Sequence, residues 1–253
     1  MGSIVSFANQ KGGVGKTTSA VNVAAALGKL GKKVLLVDMD PQGNATSGVG
    51  ISKKSIKNTT YEVLIGECEP KSAVLVTKFK NLSVMPATIA LSGAEVDFVD
   101  LERRERRAKE ALDALREQYD YILIDCPPTL GMLTINALVA SEGLVIPMQC
   151  EFFALEGLSQ LMVTFKRIRQ SLNPKLEISG ILLTMYNGRL VLTSQVVAEL
   201  KKYYADKLFK TPISRGVKLS EAPGFGTPIC YHDPYCKGAL EYNDIAKELM
   251  LRI

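Results

Sequence analysis

Residues 9–18 read Asn-Gln-Lys-Gly-Gly-Val-Gly-Lys-Thr-Thr, and this stretch decides the fold. The apolar residues 3–8 before it are typical of a short strand, and the alanine-rich residues 17–30 after it are typical of a helix. Glycines in a strand–helix turn let backbone N–H groups surround phosphate oxygens, and the helix N-terminus adds partial positive charge. The stretch therefore predicts a phosphate-binding loop, and an ordinary glycine-rich turn is the alternative.

The side chains of this loop are expected to bind different parts of one nucleotide, ATP. Lys16 is expected to reach the β- and γ-phosphates, the Thr17 hydroxyl to bind Mg²⁺, and Thr18 to lie near the α-phosphate. The strict form of the motif has glycine six residues before this lysine, where the chain has Gln10 followed by Lys11. The predicted nucleotide-binding residues of the loop are Lys11, Gly12, Gly13, Val14, Gly15, Lys16, Thr17 and Thr18.

Acidic side chains follow two other predicted strands. Asp38 and Asp40 come after residues 33–37, and Asp125 ends the strand predicted at residues 121–124. Because ligands of α/β sheets bind at the carboxyl ends of strands, these carboxylates are expected beside the loop. Asp125 is the predicted Mg²⁺ residue, and Asp40 is expected to orient or activate the attacking water. The predicted metal site is Thr17, Asp40 and Asp125, with Asp38 as a supporting residue; a turn or cap role is the alternative for each aspartate.

The rest of the chain alternates strand and helix patterns, which predicts a mostly parallel, twisted sheet with helices on both faces. The strands are runs of Val, Ile and Leu, as expected of strands buried on both sides. We predict a single domain, residues 1–253, of the α/β P-loop NTPase class. Further strands are predicted at residues 82–86, 143–148 and 178–184, helices at 61–65, 93–118, 133–141, 155–172, 194–204 and 240–251, and a loop at 41–60.

Composition limits the function classes. The chain has 253 residues and a net charge of +5, a balance that permits binding to a polyanion without demanding it. No stretch approaches the roughly 18 apolar residues that span a bilayer, and the N-terminal residues lack the pattern of a secretory signal. The five cysteines form no CxxC pair, so neither a disulfide framework nor a zinc knuckle is expected. We therefore expect a cytoplasmic protein with reduced thiols.

Six segments carry a resemblance to a known family. They are FANQKGGVGKTT (7–18), VLLVDMDPQGNATSG (34–48), YDYILIDCPPTLGMLTINAL (119–138), QCEFFALEGLSQL (149–161), LLTMYNGR (182–189) and KLSEAPGFGTPI (218–229). Together they make the chain, over about residues 3–250, similar to the ParA/Soj family of chromosome-partition ATPases. The loop itself resembles the deviant Walker A motif of the SIMIBI class, which has a second lysine.

The resemblance implies an ATP-dependent cycle. Members of the family form an ATP-bound homodimer that binds double-stranded DNA without sequence preference. A ParB/Spo0J-type partner then stimulates ATP hydrolysis, which releases the dimer from the nucleoid. By this resemblance Lys11 acts across the dimer on the partner subunit's nucleotide and is catalytic together with Lys16 and Asp40. Lys11 and Gly12 are the implied dimer contacts.

The same resemblance implies residues outside the phosphate loop. Met185 and Pro212 are expected to flank the adenine, and Arg189 and Lys218 match positions where the family uses basic residues for DNA. The chain departs from the family pattern at other positions, namely Asn187, Gly216, Gly224 and Cys236. These departures leave the loop conformations and the details of the DNA surface open, and they do not touch the phosphate chemistry.

Two other functions share the same scaffold. A MinD-like ATPase that cycles on a membrane is one alternative, but that branch ends in a basic amphipathic helix, and residues 240–253 read as a packed final helix. A metal-cluster protein like the nitrogenase iron protein is another. It requires suitably placed cysteines, and the positions of Cys126 and Cys150 do not suggest a cluster.

Overall fold

The computed structural model describes residues 2–253 and contains one seven-stranded sheet. Its strand order is β3-β4-β2-β5-β1-β6-β7, with β3 antiparallel to β4 and the other neighbouring pairs parallel. The predicted, mostly parallel sheet is therefore confirmed. The strands are β1 (Ser3–Phe7), β2 (Val34–Asp38), β3 (Leu75–Val76), β4 (Leu82–Met85), β5 (Tyr121–Asp125), β6 (Gly143–Gln149) and β7 (Glu177–Thr184).

Helices cover both faces of the sheet. They are α1 (Lys16–Lys29), α2 (Asn44–Gly48), α3 (Thr60–Ile65), α4 (Ala94–Asp97), α5 (Arg107–Asp113), α6 (Met132–Ala140), α7 (Ala154–Ser171), α8 (Val191–Tyr204), α9 (Val217–Glu221), α10 (Ile229–His232) and α11 (Lys237–Arg252). One apolar core lies under α3 and α5 to α8, and the other lies under α1, α2 and α9 to α11. Successive residues of β1 alternate between them: Ile4 packs into the first core and Val5 into the second. Burial on both faces is the reason that the strands are continuous runs of Val, Ile and Leu.

The central strands bring the functional segments to one edge of the sheet. β5 lies between β1 and β2, and Asp125 pairs in register with Phe7 on one side and Asp38 on the other. The phosphate loop follows β1, the Asp38–Asp40 segment follows β2, and Cys126 follows β5. Because these strands are parallel, all three segments leave the sheet at the same carboxyl edge.

The prediction of one long helix at residues 93–118 is wrong. The structure has α4, α5 and short 3₁₀ turns there, separated by Leu101 in an extended conformation (φ −86°, ψ 132°) and Arg103 in a left-handed one (φ 51°). Helical φ and ψ cannot continue through either residue. The charged run 102–110, which has the composition of a helix, therefore forms a turn followed by a helix of seven residues.

The predicted loop at residues 41–60 is also partly wrong, because it contains α2 and a 3₁₀ turn at Lys53–Ser55. Helix α2 is short and is held by hydrogen bonds from Thr46 to Asp38, which are tertiary contacts that a helix pattern does not reveal. The elements β3, α9 and α10 were not predicted either; each has five residues or fewer. Within residues 2–253, no helix combines the length and the apolar character that crossing a membrane requires.

Candidate functional site

The phosphate loop is shaped by two glycines in left-handed conformations. Gly13 has φ 73° and Gly15 has φ 83°, values that a residue with a side chain adopts only at a cost. Gly15 is the N-cap of α1, and Lys16 is the first residue of that helix. The backbone thus turns sharply into a helix N-terminus, which is the geometry that binds phosphate groups.

Hydrogen bonds from neighbouring strand ends hold the loop in place. The Thr184 hydroxyl donates to the Val14 carbonyl at 2.8 Å, and Gln149 Nε2 donates to the Gly13 carbonyl at 3.0 Å. At the start of the loop, Asn9 Nδ2 donates to the Pro147 carbonyl at 2.8 Å. Because β1, β6 and β7 all contribute, the loop is fixed by the sheet before any ligand binds.

Lys16 is buried, although lysine rarely is. Its Nζ donates to the Lys11 carbonyl at 3.1 Å. Burial lowers the pKa of Lys16, while the carboxylates of Asp125 and Asp40 oppose this effect and favour the charged form. The structure therefore brings the two predicted carboxylates and the predicted phosphate-binding lysine into one centre.

Asp125 lies at the end of β5 and is fully buried. Among residues 2–253 neither of its carboxylate oxygens has a hydrogen-bond partner of normal geometry, although the Thr17 hydroxyl lies close enough to favour the carboxylate. Burial, and then the neighbouring Asp38, raises the pKa of Asp125 well above its usual range, although Thr17 and Lys16 favour its charged form. A buried carboxylate without a partner is costly, and a divalent cation removes that cost. Thr17 and Asp125, two of the three residues of the predicted metal site, thus fit Mg²⁺, which typically takes one or two protein ligands alongside phosphate oxygens, and the metal contact of Asp40 stays a prediction.

Asp38 is equally buried but has partners for both oxygens. Its Oδ2 accepts from the Thr46 N–H at 2.8 Å and from the Thr46 hydroxyl at 2.7 Å, and its Oδ1 accepts from the Asp40 N–H at 3.2 Å. Burial raises the pKa of Asp38 to about 6, against these hydrogen bonds, which lower it. The contacts agree with the predicted supporting role, because they fasten α2 and the Asp40 loop to β2.

Asp40 is buried beside the centre, and its Oδ1 accepts from the Gln42 N–H at 2.9 Å. Its carbonyl accepts from the Gly43 N–H at 2.8 Å, so the residue is held in a tight turn. One carboxylate oxygen is thus fixed by the backbone, which orients the other. This arrangement suits a group that positions a water molecule.

Lys11 and Gly12 lie at the rim of the loop. Gly12 is exposed, and Lys11 is half-buried and forms an ion pair with Glu151 of the same chain. The Lys11 N–H donates to Asn9 Oδ1 at 3.0 Å, which sets the start of the loop. The lysine side chain is therefore held by Glu151, an exposed residue just after β6.

Two cavities lie on the side of β7, and the smaller of them adjoins the loop. The smaller, about 280 Å³, is lined by Gly15, Thr18 and Met185, so it suits the adenosine half of a nucleotide whose phosphates occupy the loop. Met185 has a left-handed backbone (φ 49°), which is rare for this residue type. Ile213 lines the smaller cavity, whereas Pro212 is half-buried and is not among the described residues that line it. The contact of Pro212 with adenine stays a prediction.

The larger cavity, about 610 Å³, is lined by Arg189. Lys218 is exposed on α9 and faces Glu221 at 3.3 Å, outside both cavities as they are lined by described residues. Arg215, one of the basic residues of the C-terminal third, was not predicted as a site residue, yet it lines both cavities. Its place in the loop before α9, next to the matched Lys218, was the available signal.

Comparisons with known proteins identify the family. The family described as AAA domain matches residues 2–178. The chain is 53% identical over 249 residues to the sporulation initiation inhibitor protein Soj of Bacillus subtilis, covering 98% of both chains. It is 47% identical over 251 residues to the chromosome partitioning protein ParA of Caulobacter vibrioides, covering 98% of this chain and 94% of the relative. The chain belongs to the Soj/ParA family of chromosome-partitioning ATPases.

Solved structures agree with this assignment. A protein of Mycobacterium smegmatis described as cobyrinic acid a,c-diamide synthase, with bound ATP analogue and magnesium, is 35% identical, with a TM-score of 0.87 and coverage of 98% of this chain and 93% of that chain. The cell division ATPase MinD of Pyrococcus furiosus is 27% identical, with a TM-score of 0.82 and coverage of 99% of both chains. The predicted family, the P-loop fold class and the ATPase activity are confirmed.

Proposed function

We propose that this chain is an ATP-driven switch for DNA segregation. MgATP binding at the loop joins two copies into a homodimer, and the dimer binds double-stranded DNA without sequence preference. A ParB/Spo0J-type partner stimulates hydrolysis, and the subunits separate and leave the nucleoid. Residues 1–253 act as one domain, in the cytoplasm, on a chromosome or a plasmid.

One observation carries the nucleotide half of this proposal. Asp125 is fully buried, has no hydrogen bond of normal geometry among the described residues, and lies in one centre with Lys16 and with Thr17, whose hydroxyl is close to it. A structural carboxylate is normally paired when it is buried, as Asp38 is. An unpaired carboxylate beside a phosphate loop is therefore best explained by a cation that arrives with its ligand, MgATP. The structures of relatives bound to nucleotide and magnesium support ATP and Mg²⁺ as the ligands.

The chain's own residues define the chemistry. Thr17 and Asp125 would hold Mg²⁺, which would neutralise negative charge on the bound phosphates. Lys16 binds the same phosphates from inside the loop, and Asp40 accepts a hydrogen bond from the attacking water and orients it. Lys11 of the second subunit adds positive charge where negative charge develops on the leaving group. Hydrolysis therefore requires both the buried centre and a second copy of the chain.

The DNA half of the proposal depends on exposed cations. Arg189 lies in the loop between β7 and α8, and Lys218 lies on α9; both are exposed. Contacts of Lys and Arg with phosphates give affinity without sequence information, and the net charge of +5 is compatible with this mode. A dimer doubles the number of phosphate contacts, so ATP-dependent dimerisation changes DNA affinity steeply.

Fluorescence anisotropy with a random double-stranded DNA tests this function. Binding is measured with ATP, with ADP and without nucleotide, each across a salt series. We expect tight, salt-sensitive binding with ATP only. Absence of binding in all three states, with ATP-dependent dimerisation intact, overturns the DNA proposal and favours the alternative, a MinD-like ATPase that cycles on a membrane or another partner surface.

A further inference from the structure

Arg215 occupies an unusual position between two cavities. The smaller cavity begins at Gly15 and Thr18 of the phosphate loop, and the larger one contains Arg189. Arg215 lines both of them. Met185 and Ser214 also line both cavities, and Arg215 is the charged residue of these three, so it adjoins the predicted nucleotide site on one side and the predicted DNA surface on the other.

Two arginines that line the larger cavity have no ion-pair partner among residues 2–253. Arg189 and Arg215 are exposed, and neither guanidinium forms an ion pair or a side-chain hydrogen bond with any residue that the structure describes. The other charged residues of this cavity are already paired: Glu151 with Lys11, and Lys237 with Glu241 at 3.7 Å. Two free guanidinium groups facing one cavity favour an anionic ligand, and their planar forks suit phosphate oxygens.

The backbone of Arg215 is fixed although its side chain is free. The preceding Ser214 donates to Glu241 of α11 from its N–H at 2.9 Å and from its hydroxyl at 2.7 Å. Ile213 donates to the Leu183 carbonyl of β7 at 2.8 Å and accepts from the Tyr186 N–H at 2.9 Å. The Cα of Arg215 is thus held between β7 and α11, so ligand binding orders the side chain without moving the loop.

We propose that Arg215 binds both ligands of the switch, resting on the ATP-dependent DNA binding proposed above. The face of its guanidinium stacks on the adenine in the smaller cavity, and its N–H edge donates to a DNA phosphate in the larger one. A planar group offers its face and its edge at the same time. Each ligand orders the side chain for the other, so nucleotide and DNA strengthen one another's binding.

The experiment compares Arg215→Ala with Arg189→Ala and with a control, Lys175→Ala. Lys175 is exposed just before β7, at the opposite edge of the sheet from the loop. Random duplex DNA and a fluorescent ATP derivative are the two probes, and light scattering reports dimerisation on the same samples. We expect Arg215→Ala to weaken DNA binding on the order of tenfold and ATP-derivative binding several-fold, while Arg189→Ala weakens DNA binding alone. Lys175→Ala is expected to change neither.

Reciprocity gives the second readout. In the parent, saturating DNA is expected to lower the dissociation constant of the ATP derivative. The factor by which DNA lowers this constant is expected to fall towards one in Arg215→Ala but not in Arg189→Ala. Parent-like binding of either probe by a folded Arg215→Ala variant overturns the proposal. Loss of ATP-dependent dimers in this variant also overturns it, because the effect then acts through the dimer. A parent that binds no DNA with ATP contradicts the proposed function instead.

Discussion

The phosphate centre and the basic surface beside it lie at one edge of the sheet, but they are built in opposite ways. Lys16 and Asp125 are buried, with 6% and 0% of their surface exposed, and strand ends fix them. Arg189 and Arg215 are exposed in loops, and their side chains have no protein partner among residues 2–253. The first region is organised before its ligand binds, whereas the second acquires its order from the ligand.

The difference sets the size of the effects that mutations will have. A buried charge interacts strongly with its neighbours, so the loss of one member leaves others unpaired and has a large effect. An exposed charge is screened by water and salt, and its contribution is small and adds to those of its neighbours. We therefore expect steep, salt-independent losses at the centre and graded, salt-dependent losses at the surface.

Lys16→Ala is expected to have the largest effect. Removing the buried ammonium group leaves the phosphates without their main charged donor, so ATP affinity falls on the order of 100-fold or more. ATP-dependent dimerisation is lost as a consequence. Size-exclusion chromatography with light scattering, with and without ATP, measures this change. Unchanged dimer formation contradicts the nucleotide switch, and Lys175→Ala serves as the matched lysine control.

Asp40→Ala separates binding from hydrolysis. The variant keeps Lys16, Thr17 and Asp125, so it is expected to bind ATP and dimerise. Its turnover falls about 100-fold or more, because no carboxylate orients the attacking water. Phosphate release measured alongside light scattering checks both parts. Turnover equal to the parent's means that another residue positions the water.

Asp125→Asn and Asp38→Asn compare two buried carboxylates, one without partners and one with them. Asp125→Asn relieves an unpaired buried group, so without nucleotide its unfolding free energy is expected to equal or exceed the parent's. Asp38→Asn disturbs the hydrogen bonds from Thr46 and is expected to cost about 1–3 kcal/mol. Urea unfolding without nucleotide measures both. A less stable Asp125→Asn variant contradicts the argument that Asp125 awaits a cation.

The same pair differs again when MgATP is added. The parent is expected to gain about 3 kcal/mol at 100 times the dissociation constant. Asp125→Asn loses most of this gain because it holds Mg²⁺ poorly, while Asp38→Asn keeps most of it. An equal gain in both variants means that Asp125 does not contribute to the metal site.

Arg189→Glu is expected to have the smallest effect of the series. Each dimer loses two phosphate contacts, so DNA affinity falls on the order of tenfold and the salt dependence becomes shallower by roughly two counterions. ATP affinity stays at the parent's level, since the side chain is exposed and lies in the larger cavity. Anisotropy across a salt series measures the slope. Joint loss of ATP and DNA binding indicates a folding defect instead.

The sequence predicted the buried region better than the exposed one. Residues 9–18 lead from β1 into the first turn of α1 as predicted, because the glycines and the apolar run before them determine the local backbone conformation. Asp38 and Asp125 were placed at strand ends by the same local pattern, and the parallel sheet made them register partners. The composition of the buried parallel strands was thus enough to predict which residues lie at the phosphate centre.

Other features depend on contacts between distant segments and were not visible in the sequence. Helix α2 forms where Thr46 bonds to Asp38, and the helix predicted at 93–118 breaks at Leu101 and Arg103. The position of Arg215 between two cavities follows from the approach of the loop before α9 to β7. Local propensity carries no information about such contacts.

The central claim is that two copies of the chain complete each other's catalytic site through Lys11. A mixing experiment tests it most directly: Lys11→Ala and Asp40→Ala, each inactive alone, are combined in equal amounts with ATP. In a mixed dimer the Lys11→Ala subunit keeps Asp40 and receives Lys11 from its partner, so up to about one quarter of the parent's turnover is expected to return. No recovery, with mixed dimers shown to form, contradicts action across the dimer and assigns Lys11 to its own subunit's nucleotide.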